Sequence, residues 1–548
     1  ENLTFANIYA TGKTGADTFA EAYGIYNTDN NAVLTLGNLA FTDIQAEAGN
    51  SSDSGTAYAT AAAVWDESGT MNAGTITGTV TAKGGSGPNA DTEAYGIKNG
   101  SAAITAASLA FNVTAQAGTG SEEATATAKA VENGGTLLTG SGGANNLTAK
   151  AYGGKSASTD ETGNVAAFAY GIHNRNQIDM SGGATTFTVT ATGGSPAAAS
   201  GGDVYMAGDA YAEAYGIYNE GTTMEMGNLT FTEVTANGGV GSNAAATAYG
   251  IMNENSGSSV SAGSLTFTGV NATGGNASTT GNAYANANVL ENNNGGSVTA
   301  TGAITAAATA TGGYGPTASA SAYGLENSGT ISGTNFDLTL TATGGTGTVA
   351  GVENTDDSAE ACAVENSGTF SMSGGANKIK VTATGGKSSD NAVVYARAYG
   401  IRNSGSMTLT GPTTFSVEAT GGTPDTNIAN SYASDAYAIA YGLYNQADEV
   451  STGALTFDLV QAKGGTGEDA HGKAVGIYNK NAPFTIMAES VVMTKINAEG
   501  GNGLRDASAT AYGIRNRSST FISTSSTAAT SLNVPAKGGT IVGSGDDT

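Results

Sequence analysis

The octapeptide AEAYGIYN stands at residues 20–27 and again, letter for letter, at residues 212–219. Aligning the chain on its last six letters gives fourteen copies of one motif, 33 to 45 residues apart, with a mean spacing near 38. A period in this range indicates a fold made of supersecondary units that repeat and stack on one another. The fold must therefore be explained one repeat at a time.

The composition of the motif predicts which of its side chains face inward. Position one is Ala in every copy, and position four is always Ile, Val or Leu. Position five varies freely, for example among Trp65, Lys98 and His173. A variable position faces water, so positions four and six should face inward by strand alternation. Gly fills position three in ten copies, which predicts a bend or bulge that restores the two-residue period.

Two further segments complete each repeat. A turn and a short alternating stretch follow the motif, and then comes a segment such as TTFTVTATGG at 185–194. In this segment apolar Phe187, Val189 and Ala191 alternate with threonines, as in a strand with one buried face. Longer variants such as LTFTEVTANGG at 229–239 insert one residue after Phe, which predicts a bulge. Length differences concentrate after Gly-Gly, where we expect loops.

These features predict an all-β parallel β-solenoid, or β-helix, of about fourteen coils, each with roughly 38 residues and three short strands. We expect residues 1–548 to form a single continuous solenoid, in which 1–19 make a partial first coil. Residues 340–370 should form an irregular coil, because a partial extra motif copy lies at 349–354. A β-propeller is the alternative, but its blades need four strands and fourteen blades exceed the usual number.

The sixth position of the motif predicts an internal ladder of asparagine amides, in which each side chain donates to the next carbonyl along the stack. A turn with positive φ at each Asn is the simpler alternative. Asp66 fills this position once. The predicted ladder residues are Asn27, Asn99, Asn133, Asn174, Asn219, Asn253, Asn292, Asn327, Asn366, Asn403, Asn445, Asn479 and Asn516.

Few residues could carry catalytic or metal chemistry. His173 and His471 are the two histidines and lie seven repeats apart, so we interpret both as surface residues. Cys362 is the single cysteine, in the second motif position, and we expect a packed thiol. The segment GGTGEDAHG at 464–472 approaches a calcium-binding nonapeptide, but turn chemistry explains it better. We predict no enzyme activity, no cofactor and no metal site.

Charge narrows the range of partners. The chain carries a net charge of −26, and only 12% of its residues are charged. No basic stripe is present to bind nucleic acid, and no apolar run is long enough to predict a membrane helix. Threonine ladders suggest ice binding as an alternative function, but residues such as Glu418 and Lys463 interrupt them.

Motifs of the AYGIYN type, followed by strands such as FTVTATGG at 187–194, resemble the repeat regions of bacterial surface β-solenoids. These include autotransporter passengers and filamentous-haemagglutinin-like adhesins. The resemblance implies a bacterial cell-surface protein. It extends over nearly the whole chain but rests on no family-specific signature.

We therefore expect an extracellular structural protein that stacks end to end with copies of itself into a surface filament. The predicted contacts are Leu3 and Phe5 at one end and Leu532 and Val534 at the other, because each pair belongs to a segment of the third-strand type. The alternative is an adhesin fragment that binds cell-surface glycans or proteins through variable loops at 195–211 and 423–436.

Overall fold

The computed structural model describes all residues except 53–54, 140–142, 158–162, 197–207, 279–280, 348–357, 389–392, 425–434, 448, 481–483, 487–489, 518–520, 524–530, 539 and 542–548. The described residues contain strands, turns and bends and no helix. They form a parallel β-solenoid with three sheets and roughly 37 residues per turn, which confirms the predicted fold class. The solenoid has about twelve turns, slightly fewer than the fourteen copies of the motif. The predicted extra motif copy at 349–354 lies outside the described residues.

The chain divides into two compact units, so a single continuous solenoid stays a prediction. Unit 1 comprises Glu1–Ser278 and Asn293–Thr301, and unit 2 comprises Thr279–Asn292 and Gly302–Thr548. Each unit contains seven strands that carry the motif. We call these motif strands, and we call the two that follow them in each turn second and third strands.

In unit 1 the motif strands are Thr18–Asn27, Thr56–Asp66, Ser86–Asn99, Thr119–Asn133, Asn164–Asn174, Ala210–Asn219 and Ala244–Asn253. The second strands are Val33–Thr35, Thr70–Asn72, Ala103–Ala106, Thr136–Thr139, Gln177–Met180, Thr223–Met226, Ser259–Ala262 and Ser297–Ala300. The third strands are Leu3–Phe5 with Ile8–Thr11, Leu39–Glu47, Thr75–Lys83, Ser108–Gln116, Asn145–Tyr152, Thr185–Thr192, Leu229–Asn237 and Leu265–Thr273. Two-residue strands follow some Gly-Gly corners, at Lys155–Ser156, Ser195–Pro196, Val240–Gly241 and Asn276–Ala277.

In unit 2 the motif strands are Asn282–Asn292, Thr317–Asn327, Ala359–Asn366, Val394–Asn403, Ala436–Asn445, Thr466–Asn479 and Asn502–Asn516. The second strands are Thr330–Gly333, Thr369–Met372, Ser406–Leu409, Glu449–Thr452, Phe484–Ile486 and Phe521–Ser523. The third strands are Ile304–Thr311, Phe336–Thr343, Asn377–Thr384, Thr413–Thr420, Leu455–Lys463, Val491–Met493 with Ile496–Glu499, and Ser531–Leu532 with Ala536–Lys537. The two-residue strands are Tyr314–Gly315, Thr346–Gly347, Lys387–Ser388, Thr423–Pro424 and Thr540–Ile541.

Neighbouring turns pair in register, so like positions lie side by side. Ala214 pairs with Ala248 and Asn219 with Asn253. Third strands of neighbouring turns also pair in register, except where one strand is one residue longer than its partner. There the register shifts directly after Phe187, where the partner strand carries the extra residue. The bulge predicted from the longer variants is thus present.

The core of each turn is narrow because its inward residues are small or stack flat. Motif positions one and four are almost fully buried in the inner turns, as at Ala214 and Ile217, whereas Ile514 in the last motif strand is 40% exposed. Phenylalanines of successive third strands stack: the ring centroids of Phe187 and Phe231 lie 4.7 Å apart, and those of Phe415 and Phe457 lie 4.6 Å apart. Stacked rings add dispersion contacts to the burial of apolar surface.

In several turns the motif glycine at position three packs against the third-strand phenylalanine of the same turn. A Cβ atom on Gly216 would lie 2.5 Å from ring carbons of Phe231, and one on Gly442 would lie 2.4 Å from Phe457. Ala63 occupies this position in another turn, and there the facing residue is Gly78, whose own Cβ would lie 3.3 Å from that of Ala63. The glycine therefore makes room for a ring, a role beyond the bend that the sequence predicts.

The Gly-Gly corner that follows most third strands brings adjacent turns into very close contact. A Cβ on Gly239 would lie 2.0 Å from the carbonyl oxygen of Gly194, and a Cβ on Gly465 would lie 2.0 Å from that of Gly422. Only glycine fits at such a distance. The recurrence of Gly-Gly is therefore a steric requirement of stacking.

Candidate functional site

The asparagines of motif position six form a hydrogen-bonded ladder inside the solenoid of each unit. In unit 1, Nδ2 of Asn174 donates to Oδ1 of Asn219 at 2.8 Å, and Nδ2 of Asn219 donates to Oδ1 of Asn253 at 2.7 Å. These side chains are fully buried. The other links join Asn27 to Asp66, Asn99 to Asn133, Asn133 to Asn174, Asn292 to Asn327, Asn327 to Asn366, Asn366 to Asn403, Asn403 to Asn445 and Asn479 to Asn516, all at 2.8 or 2.9 Å.

The same amides also hold the turn that follows each motif. Nδ2 of Asn133 donates to the carbonyl of Gly135 at 3.0 Å, and Oδ1 of Asn99 accepts from the backbone N–H of Ala102 at 2.9 Å. Among the described residues, Asn7 and Asn294 are the non-glycine residues with positive φ, and neither belongs to the ladder. A turn at positive φ therefore does not explain the asparagine column.

Asp66 interrupts the ladder of unit 1. Its Oδ1 accepts from Nδ2 of Asn27, while its Oδ2 is buried without a hydrogen-bond partner. Its register neighbour in the next turn is Asn99. An ionised carboxylate has no N–H to donate toward that residue. Burial raises the pKa of the Asp66 carboxyl, although its hydrogen bonds with Asn27 and Ser68 oppose this.

A network of charged side chains covers the outer face of the motif strands in the middle of unit 1. Glu132 accepts from Lys129 at 3.2 Å and from Arg175 at 2.8 Å. His173 lies 3.2 Å from Nζ of Lys129 through Nδ1 and 2.8 Å from Glu220 through Nε2. The network links three consecutive turns.

Burial in this network corrects the interpretation of position five as uniformly exposed. His173 is 4% exposed and Glu132 is 7% exposed. The ring of His173 stacks between those of Tyr170 and Tyr218, with centroids 5.3 and 5.0 Å away. These neighbours cover the imidazole, so His173 is not the surface residue that the sequence predicts. In the first turn, by contrast, Tyr26 is 52% exposed.

The electrostatics of the network fix the state of its histidine. Burial and the charge of Lys129 lower the pKa of His173 to about 4, so the imidazole is neutral near pH 7. Nδ1 therefore accepts from Lys129, and Nε2–H donates to Glu220. Burial raises the pKa of the Glu132 carboxyl, but the charges of Lys129 and Lys98 bring it below its usual value. The network cross-links turns and holds no free nucleophile.

A second charged network lies on the outer face of unit 2. Nη1 of Arg402 lies 3.0 Å from Glu360, and Nη2 contacts Glu365. Cys362, in the same region, is fully buried, and burial raises the pKa of its thiol well above the usual value. A thiol in this state packs and does not attack.

The remaining sequence candidates do not form a catalytic or metal centre. No three His, Cys, Asp or Glu side chains within the described part of the chain are placed to hold a metal ion. In the nonapeptide-like segment, Asp469 pairs with Arg505 at 2.6 Å instead of facing open space. His471 is half-buried and hydrogen-bonds Ser508.

Three of the predicted end contacts, Leu3, Phe5 and Leu532, lie in third strands, and Val534 lies between the two parts of the last one. Most residues of the two predicted loops lie outside the described structure. Leu3–Phe5 pairs with Leu39–Phe41, and the ring of Phe5 stacks on Phe41 at 4.9 Å. Leu3 is 36% exposed and Val534 is half-buried. Leu532 belongs to a strand whose side chains lie outside the description, as do residues 197–207 and 425–434 of the predicted loops.

Comparison of the chain with family models, curated proteins and solved structures found no match to any of the three. Across the described residues, no helix is long and apolar enough to cross a membrane.

Proposed function

We propose that this chain is an extracellular structural protein, the subunit of a surface filament in which β-solenoids stack end to end. The partner in this proposal is a second copy of the same chain. The chain acts by extending its own fold and by holding its turns rigidly against one another.

The equivalence of successive turns carries the proposal. Adjacent turns meet through the same contacts each time: in-register parallel strands, an asparagine amide bond, and close Gly-Gly corners. A surface that pairs with a nearly identical copy of itself inside the chain can pair in the same way with a turn of another chain. Such a contact is heterologous and does not close, so it produces filaments.

The chemistry of the described surface supports a mechanical role over a binding or catalytic one. Three side chains that could react, those of Cys362, Lys129 and His173, are buried among neighbours. The net charge of −26 keeps a surface filament soluble and repels nucleic acid. The proposed extracellular location fits a chain with one cysteine and few lysines.

Electron microscopy and sedimentation of the purified full chain test the proposal. We expect fibres whose width matches one solenoid and whose mass increases with protein concentration. Leu3 donates its backbone N–H to Asn38 of the same chain, so by strand alternation the N–H of Thr4 faces the free edge. Substituting proline at Thr4 should therefore remove the fibres, because proline cannot donate to a strand ladder. Thr4→Ser is the matched control: it leaves that backbone donor intact and should leave the fibres intact.

The result depends on the variants remaining folded, which circular dichroism of the monomer checks. A wild-type chain that stays monomeric at high concentration would contradict the filament. Fibres that persist in the proline variant would place the contact elsewhere on the molecule.

A further inference from the structure

An open groove in unit 1 follows the corners that end three consecutive third strands. Its volume is about 350 Å³, and Gly84, Gly118 and Gly153 contribute backbone to its floor. A Cβ atom on Gly118 would lie 1.6 Å from the carbonyl oxygen of Gly85, so only glycine fits there. Since the floor carries no side chains, the residues on the two rims set the depth of the groove and its chemistry.

The two rims are built from side chains that successive turns bring into register. On one rim, Glu47 pairs with Lys83 and Lys83 with Gln116, each the last residue of its third strand. On the other rim, Thr119 pairs with Lys155. All five residues line the groove. A carboxylate, two ammonium groups, an amide and a hydroxyl therefore face one open channel.

The net charge of the lining residues is positive, unlike that of the chain. Lys83 and Lys155 stand against the carboxylate of Glu47, in a chain whose net charge is −26. Within the described part of the chain, neither ammonium group forms an ion pair or a side-chain hydrogen bond. The pKa of the nearby Asp43 carboxyl is lowered chiefly by its hydrogen bond with Tyr9, and the charge of Lys83 contributes less. Two ammonium groups that make no direct contact with a carboxylate favour an anionic ligand.

An exposed aromatic ring extends the first rim. Tyr152 is the register partner of Gln116 and directly precedes Gly153. Tyr152 is 37% exposed. Tyrosine offers a flat apolar surface together with a hydroxyl group, and the C–H faces of sugar rings pack against such surfaces. An aromatic ring beside polar and charged groups is a combination that suits a carbohydrate.

The floor of the groove is poorly suited to another kind of anion, an acidic peptide. A bound peptide strand needs free backbone groups at a sheet edge or pockets for its side chains. The N–H of Gly84 already donates to the carbonyl of Gln116, and that of Gly153 donates to the carbonyl of Thr192. The groove therefore binds through the side chains of its rims, which suits a ligand rich in hydroxyl groups.

We propose that the groove binds a linear acidic glycan, a chain of sugars bearing carboxylates, along the axis of unit 1. Lys83 and Lys155 lie two turns apart, about 10 Å at roughly 4.8 Å per turn, which is close to the length of a disaccharide. Each ammonium group would pair with one carboxylate. Gln116 and Thr119 would hydrogen-bond sugar hydroxyls, and the ring of Tyr152 would pack on a sugar face. The glycan would be a second partner, beside another copy of the chain.

Isothermal titration calorimetry of the full chain with a galacturonic acid hexasaccharide tests the site. We expect binding that weakens as NaCl is added, because salt screens exposed charges. The double substitution Lys83→Gln with Lys155→Gln should weaken binding about tenfold, the effect of losing two exposed ion pairs. The neutral methyl ester of the hexasaccharide should bind the wild-type chain more weakly by a similar factor. Tyr152→Ala should weaken the binding of both sugars, because stacking does not depend on charge.

Lys378→Gln with Lys380→Gln is the matched control, because it removes the same charge from a third strand of unit 2. It should bind like wild type, and circular dichroism should show that every variant is folded. The proposal is overturned if the hexasaccharide does not bind, if the acid and its methyl ester bind equally, or if both double variants lose the same affinity. Inorganic sulfate that binds as tightly would show a simple anion site instead, and a hexaglutamate peptide that does so would show a peptide site. None of these outcomes depends on whether filaments form.

Discussion

At the scale of single residues, the asparagine of motif position six combines two tasks in one amide group. It fixes the turn that follows its own strand and bonds the same residue of the next turn. Asn219 uses both its donor and its acceptor for this, with links to Asn174 and Asn253. Asp66 has the same shape but lacks the donor, so the chain contains a natural test of what the ladder contributes.

Replacing Asp66 by Asn should stabilise the protein. An amide at this position can donate toward Asn99 and complete the ladder, a gain of about 1–3 kcal/mol near pH 7 from one satisfied buried group. The pKa of Asp66 is raised in the folded state. Its protonated form therefore favours folding at low pH, and this stability is lost as the pH rises through the folded-state pKa.

Urea unfolding between about pH 3.5 and pH 7.5 measures this effect, since unperturbed Asp titrates near 3.9. The advantage of Asp66→Asn over wild type should increase with pH and then level off. Asn219→Ala is the reference. It removes two existing hydrogen bonds of the ladder, to Asn174 and Asn253, and should lower the free energy of unfolding at every pH in this range. An advantage of Asp66→Asn that does not change with pH would contradict a titrating carboxyl in the ladder.

At the scale of the strands, side-chain packing between the motif strand and the third strand of the same turn fixes the width of that turn. A Cβ atom added to Gly216 would lie only 2.5 Å from ring carbons of Phe231. The turn with Ala63 in place of glycine carries Gly78 in place of the ring, and the turn with Ala130 carries Leu147. In both of these turns the glycine and the ring are replaced together.

Gly216→Ala should therefore destabilise unit 1 by about 1–3 kcal/mol through overpacking against the ring. The double variant Gly216→Ala with Phe231→Leu should cost less than the sum of its single changes, because it copies the natural pair of Ala130 and Leu147. The new methyl group also approaches the carbonyl of Gly250 at 2.5 Å, so we expect partial recovery. A double-mutant cycle from urea unfolding measures the coupling, and additive costs would mean that ring and glycine do not interact.

Sequence patterns predict the strands and their inward faces because both depend on local alternation and repeat exactly where the motif repeats. They also predict the asparagine column, since an inward polar residue with near-constant identity needs a partner of its own kind. They do not predict the burial of His173 and Glu132, because that depends on which side chains neighbouring turns supply. They do not predict the contact of Gly216 with Phe231, because the bend that glycine permits already explains a glycine at position three.

At the scale of the whole molecule, stability should be close to a sum over turns and their contacts, as in other repeat proteins. Deleting one full period, residues 100–133, joins Asn99 to Gly134, which takes the place of Gly100. Asn99 then faces Asn174, so every strand keeps a partner of the right type. We expect a folded protein with the same Tm to within a few degrees and slightly less β-sheet signal.

A deletion of the same kind that breaks the period provides the control. Removing residues 100–116 takes away a second and a third strand and leaves the adjacent turns without in-register partners. This variant should aggregate or unfold well below the wild-type Tm in the same scan. If both deletions behave alike, neighbouring turns do not recognise one another through their register.

All the amide links of the ladder run in one direction. In each unit the asparagine of the earlier turn donates and that of the later turn accepts, from Asn133 to Asn174 and from Asn366 to Asn403. The amide dipoles therefore add, so a turn placed before a ladder would have to donate an N–H to it and a turn placed after it would have to accept one. Two like faces brought together would oppose acceptor to acceptor or donor to donor. A filament of such subunits would be a one-way structure, with two ends that differ chemically and grow at different rates.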